Sequence, residues 1–551
     1  MSDTSRPRTL AATTTASAGT ASAATASNTT PSNTTPSTTT QSPTLPSTTT
    51  VRGTDLDALV RNVLPLLRDW LPRQRWFAGK HRPITAVSPA TVTLLPGGAD
   101  EPLLLHLLLK VDYSADQPDL YQLLLGAAPN APTGPDATAE RLRAAVIGRI
   151  GGGRHDGLLT YDASYHPALA LRLLRAVISG GAPQGSRLGP LVFHAPHGPE
   201  LTDLAAPGSP ARVGTAEQSN TSIVYGDSAI LKLFRRITPG LNPDLELSLA
   251  LSRAGSGRVP TPLAWFEGDL PDAPGEPATL GLLQRYLLGG KDGWEFALAH
   301  VRRLRTDPEW QGSRDGHPCD HITGNFSAES FLLGRATAEV HLALARSLPV
   351  TVLDRPQIEA MADAMTLRLD AAALAVPALA PYRDPLRRIF QELARSARDG
   401  RLLRAQRIHG DLHLGQSMRI ARGWTLLDFE GEPAKPLEER RRVQPAVRDV
   451  AAMLRSFDYA AAHLLTELPS GDPELPRLSA LASTWALRNR AAFCAGYAAA
   501  GAEDPTADPV LLHAMETDKA VYEVVYEAGN RPEWLAIPMS AIVRLAQAAG
   551  R

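Results

Sequence analysis

The spacing of hydrophobic positions changes period along the chain, and the changes divide it into elements of different type. Leu56, Leu59, Val60, Val63, Leu64 and Leu67 recur at three- and four-residue intervals after Thr54, which stands as an N-cap with Asp57 three residues on. This predicts a helix, with Pro65 as a point of kinking or division. Two β-rich runs follow, Ile84–Leu95 and Leu103–Tyr113, and then a Pro/Gly loop at Ala127–Asp136. Thr221–Tyr225 and Ala229–Phe234 flank Gly226-Asp227-Ser228 and predict a β-hairpin. Gly268–Ala278 reads as a further Pro/Gly-rich loop, and Leu280–Leu288 as a strand with its connection. Beyond Asp292 the period becomes helical, in Phe331–Leu344, Ile358–Leu374, Leu386–Ala397, Val447–Leu465, Ala480–Ala500 and Leu511–Ala528. A β-rich part followed by a helical part predicts an α+β fold of two lobes with a cleft between them.

Composition adds a boundary at the N-terminus. From Thr9 to Val51 no residue is charged, and Asn28-Thr-Thr-Pro-Ser repeats at Asn33. Such a stretch buries too little apolar surface to offset backbone entropy, so residues 1–53 are expected to be a disordered tail. The ordered units expected are 54–145, an N-terminal α+β subdomain; 146–287, an intermediate β-rich subdomain; and 288–551, a helical lobe.

The 551 residues are 43% hydrophobic and 21% charged with a formal net charge of −1, so no global field favours nucleic acid or an anionic membrane. No run approaches the roughly 18 apolar residues that a spanning helix needs. Arg6 and Arg8 precede a Thr/Ala/Ser stretch rather than a Leu-rich one, which speaks against a secretory signal. Two cysteines far apart, Cys319 and Cys494, offer neither zinc spacing nor a disulfide framework. A cytoplasmic location is expected.

The chemistry concentrates in His409-Gly-Asp-Leu-His-Leu-Gly-Gln416 and Leu426-Leu-Asp-Phe-Glu-Gly-Glu-Pro433. Phosphoryl transfer needs a group that orients an acceptor hydroxyl, and hard oxygen ligands for the magnesium that bridges the nucleotide phosphates. Asp411 and Gln416 stand five positions apart, the interval of Asp and Asn in the kinase catalytic loop. Asp411 is thus the candidate catalytic base, with Gln416 and Asp428 as candidate metal ligands. Asp428 follows Trp424–Leu427, a largely apolar run that reads as a strand. The competing account makes Asp411 a helix cap and Asp428 a turn residue. His409 is assigned to the backbone of its loop, and His413 is a candidate donor to a ligand.

Lys232 lies in the second hairpin strand and is the candidate phosphate-binding cation. Glu246 is its candidate partner, in a helix entered through Asn242 and Pro243. The competing account sends Lys232 to solvent and leaves Glu246 to the helix dipole. Ser219, Asn220 and Thr221 occupy the place of a glycine-rich phosphate loop without its glycines. No G-x-x-x-x-G-K-[ST] loop occurs.

These residues resemble the maltokinase family of actinobacteria, within the superfamily of aminoglycoside phosphotransferases and protein kinases. The likeness runs from Leu56 to Ala546. It is carried by Leu71–Gly79, Glu217–Ser222, Leu231–Arg235, Asn242–Glu246, the Asp411 loop, Asp428–Pro433 with Glu438–Arg442, and Lys519–Glu527 with Asn530–Pro532. It implies a bilobal protein-kinase-like fold with an N-terminal cap subdomain, and ATP with Mg²⁺ as cofactors. It also implies phosphorylation of maltose to maltose 1-phosphate, which feeds α-glucan synthesis, with trehalose synthase as a candidate partner. Gln284 and Tyr286 are then expected to flank the adenine. Ser417-Met418 departs from the expected aliphatic pair.

For the sugar, the candidates are His413, Glu430, Arg442, Tyr522, Glu523, Tyr526 and Glu527. A solvated helix face would account for Glu523 and Glu527 equally well. A kinase for glucosamine, an aminoglycoside or another sugar is the first alternative. A pseudokinase scaffold for trehalose synthase is the second, opposed by the presence together of Lys232, Asp411 and Asp428.

Overall fold

A computed structural model of the chain describes residues 53–549, apart from 99–100, 130–142, 144, 181–184, 197, 207, 215–218, 305–325, 434, 467 and 470. Residues 1–52 of the expected tail, 130–136 of the expected Pro/Gly loop, Cys319, Glu217 and Gln218 lie outside the described residues, while Gly53 belongs to the first helix. Helix α1 (Gly53–Trp70) runs through Pro65 without a break. Proline removes one helical donor, but the apolar stripe outweighs this. Leu59, Val60, Val63 and Leu67 share one buried cluster with Leu105, Leu107, Leu109 and Val111. Each such leucine contributes about 1.5–3 kcal/mol when fully buried.

The first sheet is antiparallel in the order β1 (Ile84–Leu94), β2 (Leu103–Tyr113), β3 (Asp119–Ala128), β5 (Leu159–Asp162), β4 (Val146–Arg149). Strand β2 is apolar on both faces because both are covered. Leu105, Leu107 and Leu109 face α1, while Leu104 and Leu108 join a second cluster with helix α2 (Pro167–Ile178) and the next sheet.

That next sheet holds seven strands, β6 (Ser186–Leu188), β7 (Leu191–His194), β8 (Ala211–Val213), β9 (Thr221–Tyr225), β10 (Ala229–Leu233), β12 (Pro262–Leu270) and β13 (Ala273–Arg285), in the order β6-β7-β12-β13-β10-β9-β8. Strand β11 (Arg236–Ile237) leaves it and pairs with β3. The predicted hairpin is β9–β10, with Lys232 opposite Ser222. Gly268–Ala278, expected to be a loop, is instead the tip of the β12–β13 hairpin, with Gly268 opposite Ala278 and Leu270 opposite Ala273. Register shifts in β12 absorb the irregular sequence, and Gly275 takes φ +85°, which a side chain would resist.

Buried polar groups tie the two sheets together. Gln122 donates to the carbonyls of Phe234 and Leu280, both at 2.8 Å, and its own oxygen lies 2.7 Å from His106 Nε2. Arg235 and Asp162 form a fully buried pair at 2.5 Å, and the Arg235 guanidinium lies 4.7 Å from the Trp76 ring centroid.

The remaining cluster is helical. It collects α3 (Pro243–Arg253), α4 (Gly293–Arg303), α5 (Phe326–Ser347), α6 (Arg355–Ala375), α7 (Arg383–Arg398), α9 (Val447–Thr466), α10 (Leu475–Ala499), α11 (Pro509–Asn530) and α12 (Ala536–Ala548), with the short α8 (Leu437–Arg440) outside it. Asn242 caps α3 by accepting from Asp244 N at 2.8 Å, with Pro243 as first helical residue. Strands β15 (Thr351–Leu353) and β16 (Leu403–Ala405) pair with each other, and β14 (Lys291–Asp292), β17 (Ser417–Ile420) and β18 (Gly423–Leu426) frame the two motif loops. Ser417 is buried, with its hydroxyl donating to the Leu414 carbonyl at 2.7 Å, so the departure there is accommodated by one hydrogen bond. Among the described residues no helix is long and apolar enough to cross a membrane.

Candidate active site

Lys232 lies on the buried strand β10, and its ammonium is the meeting point of three carboxylates. Nζ stands 2.5 Å from Asp428 Oδ1, 2.7 Å from Glu430 Oε1 and 3.0 Å from Asp244 Oδ2. Burial works to raise the pKa of Asp428, but Lys232 and the Gln416 amide outweigh it and hold the carboxyl below its usual range. Glu430 goes the other way. Its burial, together with the negative charges of Asp428 and Asp244, exceeds the pull of Lys232 and raises it.

The expected partner of Lys232, Glu246, is not at this centre. Glu246 Oε2 lies 2.6 Å from Arg407 Nη2 and 3.8 Å from Arg441 Nε. Two residues along an α-helix turn the side chain by about 200°, so Asp244 and Glu246 leave α3 on opposite sides. Asp244 is the one that faces Lys232, and its other oxygen accepts from Phe429 N at 3.0 Å. Both acids lie in the first turn of the helix entered through Asn242 and Pro243, and Asp244 rather than Glu246 pairs with the ammonium.

Asp428 does not end the strand before it. Strand β18 stops at Leu426, and Asp428 has φ +60°, the positive value found at no other non-glycine among the described residues. A left-handed aspartate is a costly conformation held by its surroundings, and such residues cluster at functional sites. Gln416 Nε2 donates to Asp428 Oδ2 at 3.1 Å, so the two predicted metal ligands do meet. Asp244, Asp428 and Glu430 each offer an oxygen within 4.8 Å of the others. Hard carboxylate and amide oxygens in excess over one ammonium fit a magnesium ion.

Asp411 is positioned by backbone rather than by sequence neighbours. The buried Asp449, on α9, accepts from His409 N at 2.7 Å and Gly410 N at 2.9 Å. His341 Nε2, 3.0 Å away, completes that carboxylate, while its Nδ1 lies 2.8 Å from the Tyr497 hydroxyl. His409 has the backbone role expected of it, donating from Nε2 to the Leu427 carbonyl at 2.8 Å. This joins the Asp411 loop to the Asp428 loop. His413 Nδ1 accepts from Gly415 N at 3.1 Å, which leaves Nε2 as the donor; burial keeps the ring's pKa low.

Lys519, on α11, was not singled out in the sequence. Its Nζ lies 3.3 Å from both Asp411 Oδ1 and Glu432 Oε1, and 4.9 Å from the Tyr522 ring centroid. Burial opposes its charge, but Asp411 and Glu432 outweigh this and raise its pKa. Lys519, Lys435 and Arg448 likewise overcome burial at Glu432 and draw its pKa down to about 2. An isolated lysine three residues before Tyr522 on the buried face of a helix was the signal available.

The other candidates separate. Tyr522 lies on the Lys519 side, stacked on the exposed Tyr526 at 6.2 Å. Glu523 and Glu527 share a helix face as expected, but that face packs on α9. Glu523 is 2.8 Å from Arg455 Nη2, and Glu527 is 2.6 Å from Arg531 Nη2 and 3.1 Å from the Tyr459 hydroxyl. Both carboxylates are buried and already paired with arginines, so neither is presented with free oxygens to sugar hydroxyls as expected. Arg442 is exposed, pairs with Glu438 at 3.2 Å, and lines a depression with Glu246, Arg407 and Arg441. It does not join the Asp411 group. Asn220 donates to Glu430 at 2.6 Å, Ser219 is exposed beside it, and Thr221 turns inward to accept from Arg235 Nε at 2.8 Å. Thr221 is therefore structural. Gln284 is the penultimate residue of β13, with its side chain 3.3 Å from the Ser248 hydroxyl, and Tyr286 N donates to the Ser228 carbonyl at 2.9 Å.

A family model described as the maltokinase N-terminal cap domain matches residues 70–165, the part built on the first sheet. The fold is shared with solved glucosamine kinase structures over most of the chain. One, in complex with glucosamine, ADP and inorganic phosphate, matches with TM-score 0.57 and 22% identity over 87% of this chain and 98% of that one. A second crystal form matches with TM-score 0.59 and 23% identity over 86% and 97%. The chain thus carries a match to the maltokinase N-terminal cap and shares the fold of these kinase structures. The chain is also similar in sequence to two proteins named glucosamine kinase. The one from Streptacidiphilus jiangxiensis is 28% identical over 61% of this chain and 73% of its own length. The one from Mycolicibacterium smegmatis is 27% identical over 60% and 78%.

Proposed function

We propose that the chain is an ATP-dependent sugar kinase, and that its acceptor is the anomeric hydroxyl of maltose, giving maltose 1-phosphate and ADP. The observation that carries the phosphotransferase reading is the convergence of Lys232, Asp428 and Gln416 at one point, with Asp411 held on the adjoining loop by Asp449. The maltokinase cap supports maltose in particular.

In this reading Asp411 accepts a hydrogen bond from the sugar hydroxyl and takes its proton as the oxygen attacks the γ-phosphorus. Lys232 contacts the nucleotide phosphates, and in doing so gives up part of its contact with Asp428 and Glu430. Asp428 and Gln416, with Asp244 and Glu430 beside them, would hold magnesium, which neutralises charge on the phosphates when bound. Gln284 and Tyr286 border the nucleotide where β13 leaves the sheet. Trehalose synthase, as the source of maltose, is the partner that the family resemblance implies.

Two relatives named glucosamine kinase favour a second reading, an aminosugar acceptor. Phosphorus NMR of the products formed from ATP·Mg²⁺ with maltose, glucose or glucosamine separates the two, because it reports both acceptor and position. Asp411→Ala is expected to lower turnover about 10²–10⁴-fold, the range for a positioned general base. Near-wild-type turnover in that variant would remove Asp411 from the mechanism.

A further inference from the structure

The acceptor side of Asp411 has an unusual charge pattern. Its carboxylates are already matched by cations of the same chain. Glu432, 4% exposed in its side chain, has Lys435 Nζ at 2.6 Å, Lys519 Nζ at 3.3 Å and Arg448 Nη2 at 3.8 Å. Glu523 and Glu527, farther along α11, are closed by Arg455 and Arg531. Asp411 itself faces Lys519.

We propose that Lys519 is a specificity-determining residue, which reserves the position beside Asp411 for an uncharged sugar and turns away an aminosugar. The proposal rests on the sugar-kinase reading above and deepens it. An ammonium group on the acceptor would require a carboxylate with free capacity. Glu432 is the buried carboxylate facing the same lysine as Asp411, and three cations surround it. An acceptor held against Asp411 would bring its own ammonium close to that of Lys519, and like charges at short range in a partly buried site oppose binding. An uncharged sugar meets no such opposition. Its hydroxyl can accept from the Lys519 ammonium while donating to Asp411.

Lys519 is well placed for this and poorly explained by packing alone. It is 18% exposed in its side chain, and its ammonium is not needed to close Glu432, because Lys435 is nearer to that carboxylate. What Lys519 adds is a positive charge next to Asp411.

The test compares kcat/KM for maltose, glucose and glucosamine, at a pH where the amine is protonated, in wild type, Lys519→Gln and Lys519→Arg. Wild type is expected to favour the neutral sugars by at least about tenfold. Lys519→Gln should narrow that preference by about tenfold or more, through a higher KM for neutral sugar and a lower one for glucosamine, and Lys519→Arg should restore it. Urea midpoints of the two variants identify any loss of folding, and the wild-type preference needs no variant at all. Equal or better use of glucosamine by wild type would overturn the proposal, as would an unchanged acceptor ratio in a folded Lys519→Gln. Either result leaves the sugar-kinase reading standing. ATP bound without phosphorylation of any sugar would overturn both.

Discussion

Asp449→Asn tests how the Asp411 loop is held in place. The carboxylate accepts three hydrogen bonds in a buried position: His409 N on Oδ2, Gly410 N on Oδ1, and His341 Nε2 on Oδ2. Asparagine has the same shape but only one acceptor oxygen. If its amide nitrogen replaces Oδ2, it faces the His409 N–H. If it replaces Oδ1, it faces the Gly410 N–H. A tautomer change at His341 relieves the histidine contact but neither backbone one. Whichever way the amide turns, one backbone donor loses a charge-assisted bond and is left buried beside another donor. The lost bond is worth about 1.5–3 kcal/mol, and leaving a donor unpaired costs about 1–3 kcal/mol. We expect a total of about 2–4 kcal/mol after local relaxation. If the loop stays put, that cost appears as a lower unfolding free energy in urea. If the loop moves to relieve it, Asp411 is displaced and kcat falls by up to about 10³-fold, since each 1.36 kcal/mol is tenfold. Steady-state kinetics and urea unfolding on the same preparation capture both routes. A variant with wild-type kcat and an unfolding free energy within about 0.5 kcal/mol of wild type would refute the reasoning.

Two further outcomes follow from other parts of the molecule. Asp428→Asn removes the charge that both Lys232 and the proposed magnesium use, so the magnesium titration of activity should shift to higher concentration and kcat should fall; an unmoved titration would count against Asp428 as a ligand. His106 is buried, and burial lowers its pKa to about 4, against an ordinary 6.5. Below 6.5 the unfolded chain takes up a proton that the folded ring refuses. The stability present above pH 6.5 should therefore decline as pH falls toward 4, by up to about 3 kcal/mol from this group. Urea midpoints between pH 7 and 4.5 should fall less steeply in His106→Leu than in wild type, and parallel slopes would disprove the assignment.

The order of elements and the two motif loops were legible because they depend on local sequence. The helical period after Asp292, the β9–β10 hairpin and the interval from Asp411 to Gln416 are short-range patterns, and they appear where expected. Pro65 and the β12–β13 tip misled because each is a local breaker overruled by its surroundings. Packing against β2 carries α1 through its proline, and β7 and β13 hold β12 in register.

The partners of charged side chains were not legible. Asp244 and Glu246 are both acids on one helix, and only the angle at which α3 meets β10 decides which one reaches Lys232. Glu523 and Glu527 could have faced solvent, a sugar or another helix, and the packing of α11 on α9 settled it by bringing Arg455 and Arg531 to them. Lys519 and Asp449 stand 108 and 38 residues from Asp411 in the chain, separations at which no spacing rule applies. By itself the sequence determined a two-lobed α+β chain with the groups needed for phosphoryl transfer. Which charges neutralise one another around Asp411 was decided only by tertiary structure, because an ion pair depends on distance in space and a sequence records distance along the chain.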